Sequence, residues 1–101
     1  MAKVAELKGH PWGTGRAFIF KCPGCGEHHI FQTHWNDGRP AWSWNENFDK
    51  PTVHPSIKVT TPGGIPGAVC HSFITNGRIQ FLTDSTHHLA GQTVELPELE
   101  D

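Results

Sequence analysis

Cys22-Pro23-Gly24-Cys25 sets two thiols across a bend shaped by proline and glycine, and His28 and His29 follow at once. This is the spacing of a zinc knuckle, a tight turn that aims two thiolates at one cation. A knuckle supplies half of a tetrahedral site. The remaining donors must come from His28 or His29 and from the adjacent Cys70 and His71. Neighbours on a strand point to opposite faces, so only one of Cys70 and His71 is readily a ligand and the other lies outside the coordination sphere. A redox dithiol is the competing use of Cys-x-x-Cys, but no βαβ pattern surrounds this one.

Composition agrees with a metal. Three cysteines cannot all pair within one chain, and thiols kept reduced are free to bind a cation. Eight histidines and four tryptophans stand against no tyrosine, a selection rich in imidazole donors and flat indole surfaces. His29, His71 and His87 carry more weight than His10, His34 and His54. The formal charge is -2, so no sequence-wide basic field attracts a nucleic-acid backbone, and nonspecific nucleic-acid binding is not expected. The start of the chain lacks the apolar run of a signal peptide, and no segment approaches the roughly 20 apolar residues of a membrane span. A cytoplasmic protein without membrane contact is the expectation. The 101 residues fit one domain, with 1–15 and 97–101 at its periphery; a core of this size benefits from a staple.

The elements that must position these residues are short β-like runs separated by Gly, Pro and Asn, with no convincing helical periodicity. The class is mostly β: antiparallel hairpins in a sandwich-like domain. "RAFIFK" (16–21) and "HHIFQTHW" (28–35) flank the knuckle as a hairpin, and "NDG" (36–38) starts the next turn. "PAWSWN" (40–45) and "SIKVT" (56–60) read as strands and "TPGGIPG" (61–67) as a loop. "AVCHSFIT" and "RIQFLT" flank Asn76-Gly77, a pair suited to the positive φ angles of a type I′ turn. In that register Cys70, Ser72 and Ile74 share a face with Ile79 and Phe81, and His71 shares the other with Phe73. "DSTHHLAGQ" (84–92) has room for one helical turn, and "LPELED" (96–101) reads as a frayed acidic tail. Trp42 and Trp44 lie two apart on one strand face, where burial is the simplest use of an indole.

"FKCPGCGEHH", "AWSWNENFDKPTVHPSI", "CHSFITNGRIQFL" and "DSTHHLAGQTVELP", in this order, resemble the successive blocks of a family of small bacteriophage and prophage proteins. The resemblance covers nearly the whole chain after residue 18. Some members carry the label "ammonia monooxygenase", an activity that belongs to a multi-subunit membrane protein and finds no counterpart in a chain without a membrane span. The resemblance implies that the Cys22–Cys25 turn, His29, the Cys70–His71 pair, the Trp44–Asn45 pair, the "PT..PSI" segment and His87 match the family pattern. It also implies the cytoplasm of an infected bacterium as the site of action.

Two functional classes follow. In the favoured one, zinc is structural and closed by protein ligands drawn from Cys22, Cys25, His29, Cys70 and His71. The chain then acts as a binding or accessory module for a host protein or a small ligand. Trp44, Asn45, His71 and His87 line one concavity, and the aromatic segment from Trp35 to Phe48 offers a stacking surface. In the alternative the zinc keeps an open position and activates a water, with His87, Asp84 or Glu27 as proton shuttle for a hydrolysis. The number of protein ligands separates them: four favour structure and binding, three plus water favour turnover.

Overall fold

A computed structural model of the chain describes residues 2–9, 15–33 and 41–99. Among them lie eight strands in chain order: β1 (Ala5–Leu7), β2 (Arg16–Lys21), β3 (His28–Thr33), β4 (Ser43–Trp44), β5 (Val53–Thr60), β6 (Val69–Thr75), β7 (Arg78–Phe81) and β8 (Thr93–Glu95). They form two antiparallel sheets, β1-β2-β3 and β4-β5-β6-β7-β8. The mostly β, sandwich-like class is the one the sequence indicates.

One core joins the two sheets. Phe18, Phe20 and Phe31 come from the smaller sheet, Val53, Ile57, Ile74, Ile79 and Phe81 from the larger. Phe18 pairs with Phe31 across β2 and β3, and their rings stack at 5.3 Å. Burying each such side chain is worth about 1.5–3 kcal/mol. Trp44 packs against Phe18, Phe31 and Phe48, so this indole is a wall of the core rather than an open stacking platform. Trp35, His10, His34, the expected strand end at 34–35 and the turn at 36–38 lie outside the described residues.

Asn76 and Gly77 adopt φ of 50° and 80°, which is the type I′ geometry the dipeptide suggests. The register through that turn sets Ser72 opposite Phe81 and Ile74 opposite Ile79. Cys70, Ser72 and Ile74 are consequently buried while Phe73 is exposed. Between β5 and β6 the ladder slips. Val53 faces Ile74 and Ile57 faces Ser72, so four steps along β5 answer two along β6. Three residues, His54, Pro55 and Ser56, thus stand against the single Phe73, a surplus of two, with His54 and Pro55 exposed, as in bulges where a strand re-aims a side chain.

Several expectations need correction. Residues 84–92 form successive turns and no helix: Ala90 N–H donates to His87 O and Gln92 N–H to Leu89 O. The expected peripheral segments are docked in part. Val4 is fully buried, β1 pairs with β2, and Leu99 N–H donates to Ala2 O at 2.8 Å. Leu96, at the start of the expected tail, is a core residue. The loop after β5 contains a 3-10 turn, Pro62–Gly64.

Candidate metal centre and active site

The knuckle is built by backbone hydrogen bonding around a thiol. Cys22 N–H donates to Glu27 O, Gly26 N–H returns to Cys22 O, and Cys25 N–H points at Cys22 Sγ at 3.4 Å. Gly26 closes the turn at φ 74°, where a side chain would be strained. His29 pairs with Phe20 in the hairpin register and faces the core, while His28 pairs with Lys21 and is exposed. The β-pleat therefore selects His29 over His28. Cys70 enters from β6 on the buried face.

One donor atom from each of Cys22, Cys25, His29 and Cys70 lies within 4.8 Å of every other, so this group could hold a metal ion. The fit to a tetrahedral ion is close. Zinc–sulfur bonds of about 2.3 Å set two sulfurs roughly 3.8 Å apart, and Cys22 Sγ lies 3.7 Å from Cys70 Sγ. His29 Nε2 is buried without a hydrogen-bond partner, a cost that a cation would remove. On the far side of that ring, Nδ1 lies 3.9 Å from Glu27, whose carboxylate also accepts from Gly63 N–H.

Without an ion the three thiols share their protons unequally. Cys22 is pulled down to about 4, chiefly by the hydrogen bond from Cys70 and, against burial, by His29. Cys70 is pushed up because it supplies that proton. Burial first, and then the charge on Cys22, push Cys25 up to about 11. The cluster is thus poised to hold one thiolate, and a bound cation would let all three ionise.

His71 is not in this cluster. It points to the opposite face of the sheet, where its Nε2 lies 2.9 Å from Ser56 Oγ and its Nδ1 lies 3.0 Å from Asp84 Oδ2. The sequence allows only one of Cys70 and His71 as a ready ligand, and the cluster contains Cys70: the pleat that turns Cys70 inward turns His71 outward. A hydroxyl, an imidazole and a carboxylate in this order are the parts of a serine nucleophile, its general base and the group that orients the base. Ser56 reaches the ring because the β5 bulge displaces it and because Trp42 Nε1–H holds its carbonyl at 3.2 Å. Asp84 is held by its neighbour Ser85, whose buried hydroxyl accepts from His71 N–H and donates to His71 O.

Sequence reasoning did not find Ser56. It named Asp84 only as a metal-dependent proton shuttle, whereas the carboxylate faces His71 rather than the cysteines. A lone serine in "HPSI" carries no motif; the available signal was the register, which sets Lys58 opposite His71 and so Ser56 diagonally beside it.

The residues expected to share one concavity are spread over several. His87 lines a hollow of about 490 Å³ with Gly24, Cys25, Ile65 and Pro66. His71 and Asp84 border another with Gln80, Leu82 and Gly91, and Trp44 borders a third with Thr33 and Trp42. Asn45 serves its own loop: its side chain accepts from Thr52 N–H and donates to Lys50 O. No helix among the described residues is long and apolar enough to cross a membrane.

Residues 4–82 match the family model described as bacterial ubiquitination-like system serine protease (BubE). Ser56 and His71 fall inside the matched segment and Asp84 just past its end. No curated protein and no solved structure matches the chain.

Proposed function

The chain belongs to the bacterial ubiquitination-like system serine protease (BubE) family, and from that premise we propose that it is a serine protease with Ser56 as nucleophile, His71 as general base and Asp84 as the residue that orients the base. The observation that carries this reading is the His71 ring, bridged between Ser56 Oγ at 2.9 Å and Asp84 Oδ2 at 3.0 Å.

The chemistry follows from the geometry. Ser56 Oγ attacks the carbonyl carbon of the scissile bond while its proton passes to His71 Nε2. Asp84 accepts the Nδ1–H, fixing the tautomer and stabilising the imidazolium. Collapse of the tetrahedral adduct expels the amine, which takes the proton from His71 and leaves an acyl ester on Ser56. Water then attacks the ester, His71 again takes and returns a proton, and a carboxylate product departs. The family description supports a protein of a bacterial ubiquitination-like system as substrate, and the three unpaired cysteines suit the reducing cytoplasm.

Zinc is the proposed ion, held by Cys22, Cys25, His29 and Cys70; mixed Cys/His sets without redox chemistry suit it. Bound there it contributes cross-linking and charge neutralisation, since four protein donors fill a tetrahedral sphere. Turnover thus replaces the binding module that the sequence favoured, and it runs through Ser56 rather than through a metal-bound water.

A fluorophosphonate probe tests the reading. Ser56 Oγ should displace its fluoride and form a phosphonyl ester found by peptide mass on the fragment containing Ser56, and Ser56→Ala should abolish it. A wild-type chain that stays unlabelled, or a label on another serine, would sink the assignment.

A further inference from the structure

His87 has two ring nitrogens, and both are committed. Leu89 N–H donates to His87 Nδ1 at 3.2 Å. A backbone N–H can only donate, so Nδ1 is an acceptor and the neutral ring carries its proton on Nε2. That nitrogen lies 3.5 Å from Cys70 Sγ. The ring stands edge-on to Phe81 at 4.4 Å and lies where a Cβ on residue 24 would be, 2.3–2.6 Å from three ring atoms. Glycine at 24 leaves the space for it.

The segment that ends at His87 grips β6 residue by residue. Asp84 takes the His71 side chain and Ser85 the His71 backbone. The Thr86 hydroxyl accepts from Val69 N–H and donates to Val69 O. His87 reaches the Cys70 sulfur. Four consecutive residues thus hold three consecutive ones, with the sulfur of the metal cluster at one end and the imidazole of the triad at the other.

We infer that His87 is a positioning residue that donates its Nε2–H to the Cys70 sulfur, holding the metal centre and, through residues 84–86, the Asp84 carboxylate against His71. A hydrogen bond to a ligating thiolate draws charge off sulfur and slows ligand loss; partners of this kind change metal affinity by about 10–100-fold when removed. The same bonding leaves His87 no free nitrogen for proton transfer to a substrate, so the shuttle role read from the sequence does not fit its ring. The effect on Asp84 rests on the protease reading above, whereas the effect on the metal does not.

The test compares zinc-loaded full-length wild type, His87→Leu and His87→Gln. Glutamine keeps an N–H donor near the position of Nε2 and leucine keeps only bulk. Zinc release to a chromophoric chelator should accelerate roughly 10-fold or more in His87→Leu and stay within about 3-fold of wild type in His87→Gln. With cobalt(II) in place of zinc, the sulfur-to-metal charge-transfer band should move to lower energy in the leucine variant alone. Fluorophosphonate labelling of Ser56 should slow in the leucine variant and recover with glutamine. Equal zinc release and equal bands in the two variants overturn the inference, since ring packing would then be all that His87 supplies. Unlabelled wild type with the expected zinc results would instead refute the triad while leaving the hydrogen bond to Cys70 supported.

Discussion

Cys70 and His71 are consecutive residues of β6 that serve opposite faces of one sheet: the sulfur of Cys70 lies 3.7 Å from Cys22 on the buried side, and the ring of His71 lies 2.9 Å from Ser56 on the outer side. A single strand therefore carries a candidate metal ligand and the proposed base. Only one peptide unit separates the two side chains.

The triad makes the sharpest expectation. Asp84→Asn keeps shape but lets Nδ1 accept, turning the Nε2 proton toward Ser56, and should slow fluorophosphonate labelling on the order of 10³-fold or more. Ser56→Ala should abolish labelling while changing stability by only about 1 kcal/mol, the worth of one part-buried hydrogen bond. Labelling rates with thermal melts decide it; an Asp84→Asn rate within a few-fold of wild type would remove Asp84 from the triad.

Removing the metal should be felt on both faces. Stripping zinc with a strong chelator, or substituting Cys22→Ser, should lower the melting temperature by more than about 10 °C, because ligands from a hairpin and a distant strand are uncoupled. Labelling of Ser56 should slow in parallel. Elemental analysis, calorimetry and the labelling rate check this together, and an unaltered melting curve after complete zinc removal would contradict it.

Gly24 and Gly26 separate two uses of glycine in one turn. Gly24→Ala drives a methyl into the His87 ring and should cost about 1–3 kcal/mol with faster zinc release. Gly26→Ala meets nothing within 4 Å and carries only the strain of its φ of 74°, about 1–2 kcal/mol with little change in metal retention. Denaturant melts alongside chelator kinetics distinguish them; zinc release equally fast in both variants would refute the contact.

Glu95 sets a pH dependence of known sign. Lys3 and Arg78 hold its carboxyl below the ordinary value, the Lys3 hydrogen bond first. A depressed folded pKa contributes stability that is present above the unfolded value of 4.5 and is lost as pH falls through the lower folded value. Glu95→Gln should therefore flatten the acid limb of melting temperature against pH below about 4.5 and leave the neutral region nearly unchanged, as exposed ion pairs contribute little there. A variant whose acid limb overlays wild type would discount the pair.

Much of the metal cluster was legible because its signals are local. The Cys-x-x-Cys spacing, the Asn76-Gly77 turn and the alternation through Cys70 each depend on a few neighbouring residues. The proposed triad was not, because Ser56, His71 and Asp84 meet only after a bulge shifts one strand against another, and no local pattern encodes that slip. β1 and β8 were missed for a related reason. Each is a three-residue strand, too short for alternation to register, and each is held by the strand it joins. Asn45 and His87 drew notice as polar residues in aromatic or histidine-rich blocks, yet the first ties a loop and the second faces a sulfur.

The slip between Val53 and Ile57 adds an even number of residues to β5, and evenness is what matters. Both flanking residues still point inward, so the strand leaves the bulge with the same parity it entered. Ser56 is then outward of necessity, on the side where His71 waits. One residue more or fewer between 53 and 57, unless taken up as a further bulge, would reverse every side chain on one flank, exchanging hydroxyl for core. Length variation at this bend is therefore constrained by parity: a single-residue step must be taken up by a re-formed bulge, or it turns Ser56 away from His71.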